Sequence, residues 1–142
     1  ELYRELTEVY PHALAMGENL SGERELQNFL LYSKFRPELD IIQVDPPLSY
    51  GILEYAKMMQ LGKNLGFKAS SFFPHGGNLM CLHVVAGLGA AACEAYTGVF
   101  GIFGGFGDEV RIESGYASLP QSPGIGFEHQ PALYDIMKNM NE

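Results

Sequence analysis

Glu18, Asp45, His75 and Glu94 each stand just past the carboxyl end of a short apolar stretch. A carboxylate bonded to an imidazole fixes its tautomer and raises its basicity, giving an acid/base that works near neutral pH. A carboxylate on a loop, such as Glu18, suits a hard cation. One carboxylate is not a site, because a small divalent ion wants octahedral oxygen ligation, so the remaining ligands would come from water or from outside the chain. Each residue also has an ordinary reading. His75 follows a proline and could be a loop residue satisfied by backbone; Asp45 precedes two prolines and could cap a helix; Glu18 and Glu94 could be solvated. The recurrence of four polar residues at one structural position in successive units favours chemistry.

The elements that must position them alternate. Leu2 to Tyr10 reads as the end of a helix with Leu2, Leu6 and Val9 on one face. Ala13 to Met16 reads as a strand, and Ser21 as the N-cap of a helix running to about Tyr32 that buries Leu26, Phe29, Leu30 and Leu31. Asp40 to Val44 is a second strand. Ser49 then caps a helix to about Leu65 that buries Ile52, Leu53, Ala56, Met59 and Leu65, closed by Gly66. Ala69 to Phe73 is a third strand, Leu79 to Gly89 a helix, and a fourth strand ends at Glu94.

The first two intervals between the polar residues are close to the ~30 residues of a βαβ unit, and the third is shorter. Regular alternation predicts an α/β fold with a parallel sheet or barrel, and all four side chains on its carboxyl-end face. The tail differs. Val110 to Glu113 and Tyr116 to Leu119 alternate around Ser114-Gly115, which predicts a β-hairpin, and Pro131 starts a short last helix. A hairpin after a parallel block belongs to another layer. We therefore expect two segments, 1–107 and 108–142.

With 142 residues and a net charge of −8, the chain suits one domain and disfavours nucleic acid or an anionic membrane surface. No apolar run approaches the ~18 residues of a membrane span. Cys81 and Cys93 lie in apolar sequence and read as reduced core thiols, which makes the cytoplasm the default expectation. His12, His83 and His129 read as structural or exposed. The glycine-rich GIFGGFG lacks the lysine and flanking elements of a phosphate cradle, and no serine lies in a GxSxG elbow.

GENL from Gly17, DPPLSYG from Asp45, PHGGNLMCLHVVAGLG from Pro74 and CEAY from Cys93 resemble successive strand ends of the mandelate racemase branch of the enolase superfamily. The segment from FGGFG to GIGFE is similar to that branch's C-terminal stretch. The resemblance implies the C-terminal half of a (β/α)-barrel, strands five to eight, with a tail returning to a capping domain. It implies Mg²⁺ with Glu18 as a ligand, Asp45 and His75 as a catalytic dyad, and Glu94 binding the substrate carboxylate together with His75. The likeness is greatest to tartrate dehydratases, which implies a small hydroxy acid as substrate and a homo-oligomer as the full-length enzyme.

The catalytic lysine and other metal ligands of that branch have no counterpart here. Lys34, Lys57, Lys63 and Lys68 fall on helices or before a strand, so the chain alone is expected to be inactive. Two readings stay open beside the dehydratase: a racemase or epimerase using the same dyad, and a non-catalytic stand-alone α/β domain.

Overall fold

A computed structural model describes residues 2–140; Glu1, Asn141 and Glu142, which the two expected segments include, lie outside it. The chain folds as an α/β structure in which helices follow short parallel segments. The elements are α1 (Leu2–Val9), β1 (Ala15–Met16), α2 (Glu23–Ser33), β2 (Ile41–Ile42), α3 (Ile52–Asn64), α4 (Leu79–Leu88), β3 (Ile112–Glu113), β4 (Tyr116–Ala117) and α5 (Pro131–Asn139).

Four extended segments lie side by side in chain order. β1 pairs with β2 in parallel, with Ala15 beside Ile41 and Met16 beside Ile42. Phe72 bridges Ile42 in parallel. The Phe73 amide donates to the Ile42 carbonyl at 2.9 Å, and the amides of Ala91 and Glu94 donate to the carbonyls of Phe72 and Pro74. Side chains that leave the carboxyl ends of these segments share one rim.

The parallel segments are shorter than the sequence suggests. Ala69–Ser71 is a 3₁₀ turn rather than strand, because the Ser71 hydroxyl accepts from the Lys68 amide and the Phe72 amide closes on Ala69. The segment that ends at Glu94 is extended but makes too few bonds to count as a strand.

The helix starts also differ. α2 begins after Gly22, and the Ser21 hydroxyl and amide both donate to the Glu25 carboxylate instead of capping. α3 begins after Gly51. Ser49 sits in the turn before it, its amide on the Asp45 carbonyl and its hydroxyl buried without a partner. Gly66, at φ +96°, closes α3 as expected: the Phe67 amide reaches back to Gly62 and the Gly66 amide to Lys63.

The core lies between the parallel segments and helices α2–α4. It is built from Leu26, Leu30, Phe35, Ile42, Val44, Tyr55, Met58, Met59, Phe72 and Val84. Leu31, Ile52 and Leu53 were expected inside but are exposed, and α1 buries no residue. The inward side of α3 is carried by Tyr55, Met58, Met59, Leu61 and Gly62, one helical face rotated from the expected one.

Gly62 is there because Phe72 needs the room. A Cβ at Gly62 would stand 2.6 Å from Phe72 Cζ, in a ring that is fully buried and set edge-on to Tyr55. Gly62→Ala is expected to destabilise by about 1–2 kcal/mol, since overpacking outweighs the ~1 kcal/mol helix-propensity gain. A lower urea midpoint at unchanged slope would show it.

The tail forms the expected hairpin. β3 and β4 pair antiparallel around Ser114 and Gly115, whose φ values of +51° and +83° suit a tight two-residue turn. It packs within the chain: Val110, Ala117, Ile125 and Phe127 close on Leu79, Leu82 and Phe106, and His83 Nε2 lies 3.0 Å from the Ile125 carbonyl. Among the described residues, no helix is long and apolar enough to cross a membrane.

Candidate active site

Three of the four residues singled out in the sequence meet on the rim. His75 stands between two carboxylates: its Nδ1 is 3.7 Å from Asp45 Oδ2 and its Nε2 3.6 Å from Glu94 Oε2. They come from adjacent segments, and segments ~4.8 Å apart let such side chains touch. Two glycines make the approach possible. A Cβ at Gly76 would lie 2.8 Å from Asp45 Oδ2, and one at Gly77 would lie 2.8 Å from the Tyr96 nitrogen. Both have positive φ.

Glu18 is not drawn into this group. Its carboxylate turns back to accept from the Gly17 amide at 3.0 Å, and it lines a separate small cavity with Met16, Leu20 and Phe29.

Three groups that the sequence reading passed over complete the site. The Tyr96 hydroxyl donates to Glu94 Oε2 and lies 3.1 Å from His75 Nε2. Gln43 Nε2 donates to Glu94 Oε1 at 3.1 Å, and the Gly76 amide donates to Glu94 Oε2 at 3.3 Å. Gln43 precedes Asp45 by two and Tyr96 follows Glu94 by two. Residues two apart on an extended segment leave the same side, so the period of the strand was the signal that pointed to them.

Burial sets the electrostatics. It pushes the Asp45 carboxyl above its ordinary value, against the pull of neighbouring His75. Asp45 Oδ1, His75 Nδ1 and the Tyr55 hydroxyl are buried without hydrogen-bond partners. The hydrogen bond to Glu94 holds the Tyr96 phenol at about 12, so it keeps its hydrogen at neutral pH. Both cysteines are free: burial pushes the buried Cys81 thiol up to about 12 and the half-buried Cys93 thiol to about 11, as inert core thiols require. The Cys81 thiol donates to the His75 carbonyl at 2.9 Å and steadies the loop.

This arrangement can hold, give or take a proton at His75 Nε2, with Glu94 held as an acceptor beside it. Lysine is missing from it. Lys34, Lys57 and Lys68 pair with Glu8, Glu54 and Glu38, all on the surface.

The chain matches the family described as Enolase C-terminal domain-like over residues 1–133. It belongs to that family, and is thus a C-terminal portion of the enolase superfamily, whose members are generally enzymes and typically use Mg²⁺. The chain's own residues do not by themselves complete a magnesium site. Among the described residues, no three of His, Cys, Asp and Glu are grouped to hold a metal ion, and Glu18 alone cannot.

Proposed function

We propose that this chain is the C-terminal half of the barrel of a sugar-acid dehydratase in the mandelate racemase branch, similar to D-tartrate dehydratase. The observation that carries the reading is His75, held between Asp45 and Glu94 at the carboxyl ends of adjacent parallel segments in a chain of this superfamily. On this reading the segments are strands five to eight, residues 1–107 form the half-barrel and 108–142 the tail that reaches a capping domain. Glu18 would supply one ligand to an Mg²⁺ whose other ligands lie outside the chain, and the ion would supply charge stabilisation there.

The reaction removes water from a hydroxy acid. A base outside this chain, a lysine in this branch, takes the proton α to the carboxylate. The α C–H electron pair forms the C=C bond of an enol as the β C–O bond breaks, and His75 Nε2 protonates the departing hydroxyl. The enol tautomerises to a 2-keto acid, so that tartrate gives oxaloacetate and water. Asp45 faces the far nitrogen of the ring and supports its charge as the proton moves. On this reading Glu94 lies beside the substrate carboxylate. Because it accepts from Gln43, Gly76 and Tyr96, these donors help hold it in place.

The reading places the enzyme in the cytoplasm as a homo-oligomer; two free cysteines accord with the first. A racemase is the second reading, favoured by the same Asp45–His75 pair, which can act as a base. The full-length protein, given D-tartrate and Mg²⁺, should form a keto acid. Exchange and inversion at the α carbon without keto acid would replace the dehydratase with the racemase. Neither reaction on a panel of hydroxy acids would refute both.

A further inference from the structure

Four side chains make a run of contacts on the rim, Asp45, His75, Tyr96 and Glu94, and Glu94 Oε2 also faces His75 Nε2 directly at 3.6 Å. The contacts run from Asp45 Oδ2 to His75 Nδ1 at 3.7 Å, from His75 Nε2 to the Tyr96 oxygen at 3.1 Å, and from the Tyr96 hydroxyl to Glu94 Oε2. The two ends are carboxylates, which only accept when ionised.

The hydrogens can be counted along this run. A phenol has one hydrogen, and Tyr96 gives it to Glu94. Its oxygen can then only accept at the His75 contact, so His75 must bring an N–H at Nε2. Were His75 to offer a lone pair there, two acceptors would face each other at 3.1 Å. The carboxylates oppose each other: Asp45 Oδ2, 3.7 Å from Nδ1, favours a proton on that nitrogen, and Glu94 Oε2, 3.6 Å from Nε2, favours one there, which leaves the choice to the hydrogen bond with Tyr96. Glu94 is anchored independently by Gln43 and by the Gly76 amide, so Tyr96 meets an acceptor fixed in place. Tyr96 is itself fixed: its ring is edge-on to His75 and to Phe100, and its backbone lies against Gly77, where a Cβ would come within 2.8 Å of it.

We propose that Tyr96 is a positioning residue which, by committing its hydrogen to Glu94, obliges His75 to present an N–H rather than a lone pair at Nε2. This rests on the dehydratase reading for its consequence, not for its geometry. A ring that presents N–H at Nε2 is set to give a proton to a leaving hydroxyl. A lone pair there would set it to take a proton from carbon. A second proton, at Nδ1 toward Asp45, completes the imidazolium that does the giving. Tyr96 thus selects the acid role of His75 over its base role.

The test reads the ring directly. In the full-length protein labelled with ¹⁵N-histidine, a two-bond ¹⁵N–¹H correlation spectrum reports which nitrogen carries hydrogen. The His75 signals are assigned by their loss in His75→Asn, since the chain has four histidines. The wild type is expected to carry hydrogen on Nε2. In Tyr96→Phe, Nε2 loses its hydrogen-bond acceptor while the two carboxylates stay at nearly equal distances, so the share of hydrogen on Nδ1 should rise. A bare Nε2 in the wild type would overturn the proposal whether or not the variant folds, and so would one tautomer common to both proteins. With D-tartrate, Tyr96→Phe should slow hydroxyl loss by about 10²-fold, the low end for a general acid, and slow α-proton exchange less. A tautomer shift in a protein that turns over no hydroxy acid would sink the dehydratase reading and leave this one standing. Turnover with an unmoved tautomer would do the reverse.

Discussion

His75→Asn in the full-length protein should lower kcat for keto-acid formation by about 10²–10⁴-fold, the contribution typical of a positioned general acid. Asparagine keeps a polar group of similar reach between Asp45 and Glu94 but holds no transferable proton. The fold should tolerate it. The His75 side chain is one-third exposed, and the bond that ties its loop to α4 runs from the Cys81 thiol to the His75 carbonyl, which the substitution retains. The assay should follow two things in deuterated water: keto acid, and label entering the α carbon of unreacted substrate. If a lysine from elsewhere is the base, label should still enter while keto acid disappears. Loss of both would make His75 the base and favour the racemase. A variant with undiminished keto-acid formation would remove His75 from the reaction altogether.

The largest effect on stability is expected at Asp40. Its side chain is fully buried, and its carboxylate accepts from the amides of Leu14 and Arg36 and from the Arg36 guanidinium at 2.7–2.9 Å. The same guanidinium donates to the carbonyls of Tyr10 and His12. One side-chain pair therefore ties the entry of β1 to the entry of β2, and so sets the register in which the rim is built.

Asp40→Ala leaves two amides and a charged group without their acceptor. A loss of about 3 kcal/mol follows, read as a lower urea midpoint. Burial pushes the Asp40 carboxyl up, but the hydrogen bonds from Arg36 and the two amides outweigh it and hold it below its ordinary value. A carboxyl depressed in the folded state contributes stability that is fully present above the unfolded value, about 3.9, and is lost as pH falls through the lower folded value. Wild-type protein should therefore lose stability on acidification below about pH 4, and Asp40→Ala should lose less over that window. A variant as stable as wild type at neutral pH would show that the tie does not hold the segments together.

Much of this molecule was legible in the chain. The alternation of apolar stretches and amphipathic helices determined an α/β fold, because a strand's period of two and a helix's of 3.6 are written in the spacing of apolar residues. Ser114-Gly115 determined the hairpin, since a tight turn needs positive φ at both positions and few residues supply it. The recurrence of a polar residue past each stretch marked Asp45, His75 and Glu94. Only the tertiary structure decided the rest. The side of α3 that faces the core was set by where Phe72 lies, and an amphipathic pattern as weak as ILEYAKMMQLGKN does not specify that rotation. Whether Ser21 and Ser49 cap a helix or bond within a turn depended on where the preceding segment ended. Tyr96 and Gln43 entered the site, and Glu18 turned away from it, because hydrogen-bond partners are chosen by distance in space. Sequence spacing places residues on a rim; the angles at which the segments meet determine which of them touch.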